Sequence, residues 1–350
     1  MSSSTSSSEK NHRAAENVRA VEDATKGMVP RRGAWWRIAL VLVSCLLSVD
    51  MAVRAFLLPR SRDFANIHDF PQRAAALSHR SGRKLAVVGN SAVNSGVDAE
   101  YLMKRLSDHN VHDLNADTFP ADDSRMVDWY CMVDHYFWQS GNAVDIVVLC
   151  FFDQQLADSS SSQTGRLAHW FATRNDWPIL FDCCVTTTAD RADFLISTAW
   201  TSFAVRTRLR ERVLELCVPN CKNYLCELNA MQLLQQRSQA ARTPLAKPSY
   251  RLLSQLLARA AERHTRLVFV AFPRQPSADP SADPLGYPLD EEAIRLVCAA
   301  GMDFIDLRQV DGLTRESYED FIHLRPAGKP IFTCALADRL AVLLGGKKPK

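Results

Sequence analysis

The feature that most constrains this chain is a repeated change of period, in which short continuous apolar runs alternate with stretches of helical spacing. A run that is apolar on both faces belongs in a sheet covered on both sides, which is the situation of a parallel sheet. Residues 84–88 form such a run and end in Gly89-Asn90. Residues 111–117 read as a second strand, 145–152 as a third, 266–272 as a fourth and 302–307 as a fifth. The pattern predicts helices over 98–106 with Asp98 as N-cap, over the aromatic-rich 123–138, and over 291–300 and 328–344. Strands alternating with helices imply a three-layer α/β/α fold with about five parallel strands over residues 80–350. From 157 to 265 the β pattern disappears and helical patterns take over, including 193–216 and 250–263. That stretch reads as a helical insertion beside the sheet, with packing and substrate shaping both open to it.

Ahead of the domain, residues 1–33 are rich in Ser and charge and poor in large apolar side chains, a composition expected to remain disordered. Residues 34–58 then carry Trp35, Trp36 and a largely uncharged run bounded by Arg37 and Arg54. A bilayer span needs about 20 residues, reached here if the arginines snorkel and Asp50 pairs with Arg54 one turn on. The segment reads as a single-pass membrane anchor with the tryptophans at headgroup level. A buried or interfacial helix and a cleaved signal share the same composition.

Among 350 residues the formal charge is only +3 and is spread along the chain, which argues against a nucleic-acid partner. Gly89 belongs to no G-x-G-x-x-G pattern and there is no P-loop, so nucleotide binding is disfavoured. The ten cysteines are scattered; Cys217, Cys221 and Cys226 lack C-x-x-C knuckles and a nearby histidine, so no metal site is expected. A disulfide from Cys217 to Cys221 or Cys226 fits an exported domain. Cys150 and Cys298 read as small buried hydrophobes. The basic residues 347–350 read as a solvated tail, and 276–284 as a duplicated turn-former in a loop after a strand.

Two segments can carry chemistry. Ser91 lies on a strand-to-helix turn, where a hydroxyl reaches the carboxyl edge of a sheet and free backbone N–H groups can receive an oxyanion. Near the C-terminus, Asp320 and His323 stand three apart before the last helix, a spacing that lets the carboxylate hold one imidazole nitrogen. Each segment alone has an ordinary reading, as a common turn and as an exposed pair at a helix approach. His135, among Tyr136, Phe137 and Trp138, reads as a packed core histidine; His169 and Trp170 lie in the insertion.

Together, Gly89-Asn90-Ser91 and Asp320-Phe321-Ile322-His323, with Pro326 and Gly328 following, resemble the SGNH/GDSL hydrolase superfamily. Residues 89–98 resemble its membrane-anchored bacterial branch of lipase-like and O-acyltransferase-like proteins. The likeness covers roughly residues 80–157 and 265–345. It implies a flavodoxin-like SGNH fold, with Ser91 as nucleophile, His323 as general acid/base and Asp320 orienting the imidazole. It further implies no metal or organic cofactor and an acyl-ester substrate on an envelope polysaccharide or lipid. The domain would then face the periplasmic or extracytoplasmic side. Two departures stand out. The block that supplies a glycine N–H to the oxyanion hole has Ala121 as its nearest match, and the block that supplies an asparagine amide aligns with Gln154. The expected oxyanion donors are therefore the Ser91 N–H, the Gln154 side chain and Ala121. The departures also suit a rival, an inactive envelope protein that keeps the fold for binding or assembly. A further rival is a soluble cytosolic hydrolase with a buried N-terminal helix.

Overall fold

The computed structural model describes residues 32–218, 248–276 and 287–345. Nearly all of the expected N-terminal tail, Cys221, Cys226, most of the 276–284 loop and the basic end lie outside the described residues. The chain divides into two compact units, 1–53 and 54–350. The first contains helix α1 (Arg32–Ala52), on which Trp35, Trp36 and Leu40 are exposed. The segment Trp35–Arg60 has a mean hydropathy of 2.1 and is long and apolar enough to cross a membrane, a measure that a signal sequence also meets.

In the second unit, five strands form one parallel sheet: β1 (Arg83–Gly89), β2 (Leu114–Pro120), β3 (Ile146–Phe151), β4 (Arg266–Ala271) and β5 (Asp303–Asp306). Their order is β2-β1-β3-β4-β5, all neighbours parallel, which is the flavodoxin-like order. Leu85, Val87, Val148, Val268 and Val270 line one face and pack with Leu102, Leu106, Leu336 and Leu340. Those leucines come from α4 (Ala99–Asp108), which follows the short α3 (Ser91–Gly96), and from the last helix, Gly328–Leu343. Helix α4 is capped by Asp98, whose carboxylate accepts the Tyr101 N–H at 3.0 Å. Ala86, Val88, Val147, Leu149 and Phe269 are buried too, as the uninterrupted apolar runs require. On that side lie α2 (Arg62–Ser78), α5 (Met126–Val133) and the helix Arg251–Glu262.

Several expected boundaries move. The second strand is 114–120 rather than 111–117, because Asn110 (φ 63°) and Asp113 (φ 57°) are left-handed and turn the chain before pairing begins. Ahead of residue 80, α2 buries Phe64, Ile67, Phe70 and Ala74, and Phe70 meets the Phe119 ring edge-on at 5.4 Å. The helix expected from 123 starts at Met126 and widens into a π-helical turn over Asp134–Gln139. In the insertion, 193–216 is broken, as Thr188–Ala199, Thr201–Ala204 and Arg206–Cys217, with Trp200 in an extended conformation between the first two.

The insertion is fastened to the sheet by a buried ion cluster. Arg166, 1% exposed, donates to Asp63 of α2 at 2.9 Å and to the Asp122 carbonyl, and lies 4.0 Å from Asp128 of α5. Removing one partner of a buried pair leaves an uncompensated charge, which costs about 3–5 kcal/mol. Arg166→Met is therefore expected to lower unfolding stability by about that amount, measured as a shift of the urea midpoint at constant slope.

Candidate active site

In this strand order the chain reverses direction across the sheet between β1 and β3, and ligands bind outside the carboxyl ends of the strands at such a point. Gly89 ends β1 there. A Cβ on Gly89 would stand 2.4 Å from Val93 Cγ2 and 3.0 Å from the Cys150 carbonyl oxygen. Only glycine lets α3 turn back so closely against β3. Asn90 then caps α3, its side-chain oxygen accepting the Ala92 N–H at 2.9 Å. Ser91 is the first helical residue, so its own N–H has no partner within the helix.

The second segment reaches this turn from far along the chain. Residues 318–325 form a tight loop in which Tyr318 bridges Leu324 and Glu319 N–H donates to the His323 carbonyl at 2.8 Å. One Asp320 oxygen accepts the N–H groups of Ile322 and His323, at 2.9 and 2.8 Å. The other lies 2.6 Å from His323 Nδ1, and His323 Nε2 lies 2.7 Å from Ser91 Oγ. With Asp320 ionised, Nδ1 carries the proton and Nε2 accepts from the serine hydroxyl. The loop is pinned to α3: Ser95 Oγ accepts the Leu324 N–H at 3.3 Å, and Lys329 donates to the Asn94 carbonyl at 3.1 Å. The site is open, the His323 side chain being 31% and that of Asp320 47% exposed.

Burial alone would raise the Asp320 pKa. The hydrogen bond to His323 and the two backbone N–H groups outweigh it and hold the carboxyl below its ordinary range. The opposite holds for Asp122 at the neighbouring β2 edge. Burial first, and the Asp63 carboxylate next, raise it against the pull of Arg208, Arg166 and His323.

The structure thus brings Ser91, Asp320 and His323 together and leaves the two other expected oxyanion donors out. The Ala121 N–H is consumed by the Gly89 carbonyl at 3.0 Å, extending the β1–β2 ladder by one bond. Gln154 is exposed, with no side-chain bond into the site. The amide beside Asn90 is instead that of Gln155. Its Oε1 accepts the Phe152 N–H at 2.9 Å and the Asn90 amide at 3.4 Å, which orients its Nε2 away from both. The one-residue shift follows from Asp153, whose φ of 48° turns the chain just after β3. Two consecutive glutamines left the choice between them beyond sequence reading.

The remaining candidates have structural partners. His135 lies 3.1 Å from the Phe171 carbonyl and stacks on Tyr136, as a packed histidine does. His169 lies between the Ser197 carbonyl at 2.8 Å and Thr201 Oγ1 at 3.1 Å. Among the described residues no cluster of His, Cys, Asp and Glu is arranged to hold a metal ion.

The strand order, the serine turn after β1 and the Asp320–His323 loop before the last helix make this a three-layer α/β/α fold with Ser91, His323 and Asp320 in line at the carboxyl edge of its sheet. No family model and no curated protein matches the chain. Among solved structures, a lipase/acylhydrolase from Enterococcus faecalis is similar at 11% identity and a TM-score of 0.36, over 76% of this chain and 100% of that one. A catalytic mutant of an acetylxylan esterase from Geobacillus stearothermophilus is similar at 11% identity and a TM-score of 0.37, over 77% and 97%. An α/β hydrolase from the metagenome of Lake Arreo, Spain, is similar at 12% identity and a TM-score of 0.36, over 77% and 98%.

Carbon-detected NMR is expected to find Asp320 titrating below 3.8, and Ser, Ala or Gln at position 323 to move it upward. A depressed carboxyl stabilises the fold above its unfolded pKa of about 3.9, and that contribution is lost as pH falls through the folded value.

Proposed function

We propose that this chain is a serine ester hydrolase or O-acyltransferase of the SGNH type. The observation that carries the reading is the continuous chain of short contacts from Asp320 through His323 to Ser91. In this reading Ser91 Oγ attacks the acyl carbonyl and gives its proton to His323 Nε2. Asp320 stabilises the imidazolium that forms. The Ser91 N–H and Gln155 Nε2 receive the negative oxygen of the tetrahedral intermediate. His323 then returns the proton to the departing alcohol, leaving the acyl group on Ser91. Water or a second alcohol, deprotonated by the same imidazole, releases it; the first is hydrolysis and the second transfer.

The finer reading is a protein held to a membrane by Trp35–Arg60, its domain on the extracytoplasmic side, acting on acyl esters of an envelope carbohydrate or lipid. The length and apolar composition of that segment, and the sequence resemblance, support it. A binding or assembly role on the same fold is the second reading. The Ala121 N–H favours it, since that donor is already engaged by Gly89.

A fluorophosphonate probe is expected to label the full-length chain at Ser91, with labelling abolished in Ser91→Ala and His323→Ala. An unlabelled but folded parent would transfer the case to the binding reading. Loss of an oxyanion donor lowers kcat by roughly 10²–10³-fold. Gln155→Ala should show that loss in ester hydrolysis, and Gln154→Ala a change of less than about twofold on the same scale.

A further inference from the structure

Two segments far apart in the chain must agree in position at this site: the turn after β3 that carries Gln155, and the loop that carries Asp320 and His323. The loop after β4 reaches both. On one side the Gln275 N–H donates to the Phe321 carbonyl at 3.0 Å, and the Gln275 side chain donates to the Arg315 carbonyl at 3.3 Å. On the other side Arg274 lies against the turn after β3. Its guanidinium stands over the Phe152 ring, 5.4 Å from the centroid, and over the Tyr287 ring at 4.8 Å. It also approaches the Asp153 carboxylate to 3.8 Å. Tyr287 is buried, and its hydroxyl donates to the Phe272 carbonyl at 2.8 Å, so the second ring is fixed to the end of β4.

The contact falls on the strained point of the turn. Asp153 has a φ of 48°, a left-handed conformation that a residue with a side chain keeps only where its surroundings hold it there. Within the turn Gln155 Oε1 accepts the Phe152 N–H at 2.9 Å, and the Gln155 N–H donates to the Phe152 carbonyl at 3.1 Å. Those bonds are local and move with the turn. Arg274 ties it instead to the neighbouring strand. The Arg274 Nε is buried with no hydrogen-bond partner among the described residues, so ring faces and charge hold the guanidinium. A planar, delocalised cation suits two rings and a loosely held carboxylate as an ammonium does not.

We propose that Arg274 is a positioning residue, which braces the left-handed turn at Asp153 and thereby sets Gln155 beside Asn90 as the oxyanion donor. The proposal rests on the hydrolase reading and deepens it. Arg274 acts through Gln155, while Gln275, the next residue, fastens the same loop to the triad.

The test uses the full-length chain in detergent with 4-nitrophenyl acetate, and Ser91→Ala as the blank. A donor displaced by about 1 Å loses up to roughly 10²-fold in rate, so Arg274→Met should lower kcat by about 10- to 10²-fold with KM within about twofold. In a Gln155→Ala background the same substitution should cost less than about threefold, because the residue through which it acts is gone. Should Arg274→Met fail to fold, Arg274→Lys takes its place, keeping the charge without the planar face, with losses in the same directions. A kcat within about twofold of the parent, or an equal loss in both backgrounds, overturns the proposal. Amide hydrogen exchange reads the brace without catalysis: Arg274→Met should speed exchange over 151–157 and leave 83–89 unchanged. Unchanged exchange over 151–157 overturns the brace. Faster exchange there, in a chain that hydrolyses no ester and takes no fluorophosphonate, sustains the brace and refutes the hydrolase reading.

Discussion

A parallel strand ends where its last carbonyl runs out of ladder partners, and at the end of β1 that carbonyl belongs to Gly89. It accepts two donors from the loop after β2, the Ala121 N–H at 3.0 Å and the Ser124 hydroxyl at 3.1 Å. The Gly89 α-carbon meanwhile lies against Val93 and Cys150, with no room for a side chain. Strand β1, the β2 loop, α3 and β3 therefore converge on one residue. The serine turn is held by this convergence, and Trp129 extends it by donating to Ser124 at 2.7 Å. The same contact that locks the turn engages the Ala121 N–H.

Electrostatics divides the molecule into a dry side and a wet side. On the dry side Arg166, Asp63 and Asp128 are almost wholly buried and tie α2, α5 and the insertion together. Burial raises Asp128 despite that arginine, and Ser161 and the Arg125 N–H supply its remaining bonds. On the wet side Asp320 keeps its charge through three hydrogen bonds while nearly half exposed. Asp122 stands between the two, touching the buried cluster through its main chain and feeling both His323 and Arg208 through its carboxyl. The insertion is thus connected through Arg166 to the loop after β2.

Most of the sheet was legible because each strand carries its own signal. The runs at 84–88, 145–152 and 266–272 are apolar on both faces, and only a covered parallel strand buries both. Asp98 announced its helix by cap chemistry that acts within three residues. The second strand was misplaced because 111–117 has the right residue types, while the left-handed Asn110 and Asp113 that delay it leave no mark that periodicity can register. Helix α2 passed unread because its burial depends on Phe119 and Tyr136, which the chain supplies only much later.

By itself the sequence determined the layer architecture, the turn that carries Ser91 and the Asp320–His323 spacing, because periodicity, caps and a three-residue turn are local properties. Tertiary structure alone decided which glutamine stands beside Asn90, whether Ala121 keeps a free N–H, and that Arg166 of the insertion reaches Asp63 and the Asp122 carbonyl. Each of those depends on where a carbonyl or a charge from a distant segment arrives. A single left-handed residue such as Asp153 shifts that arrival by a whole side chain.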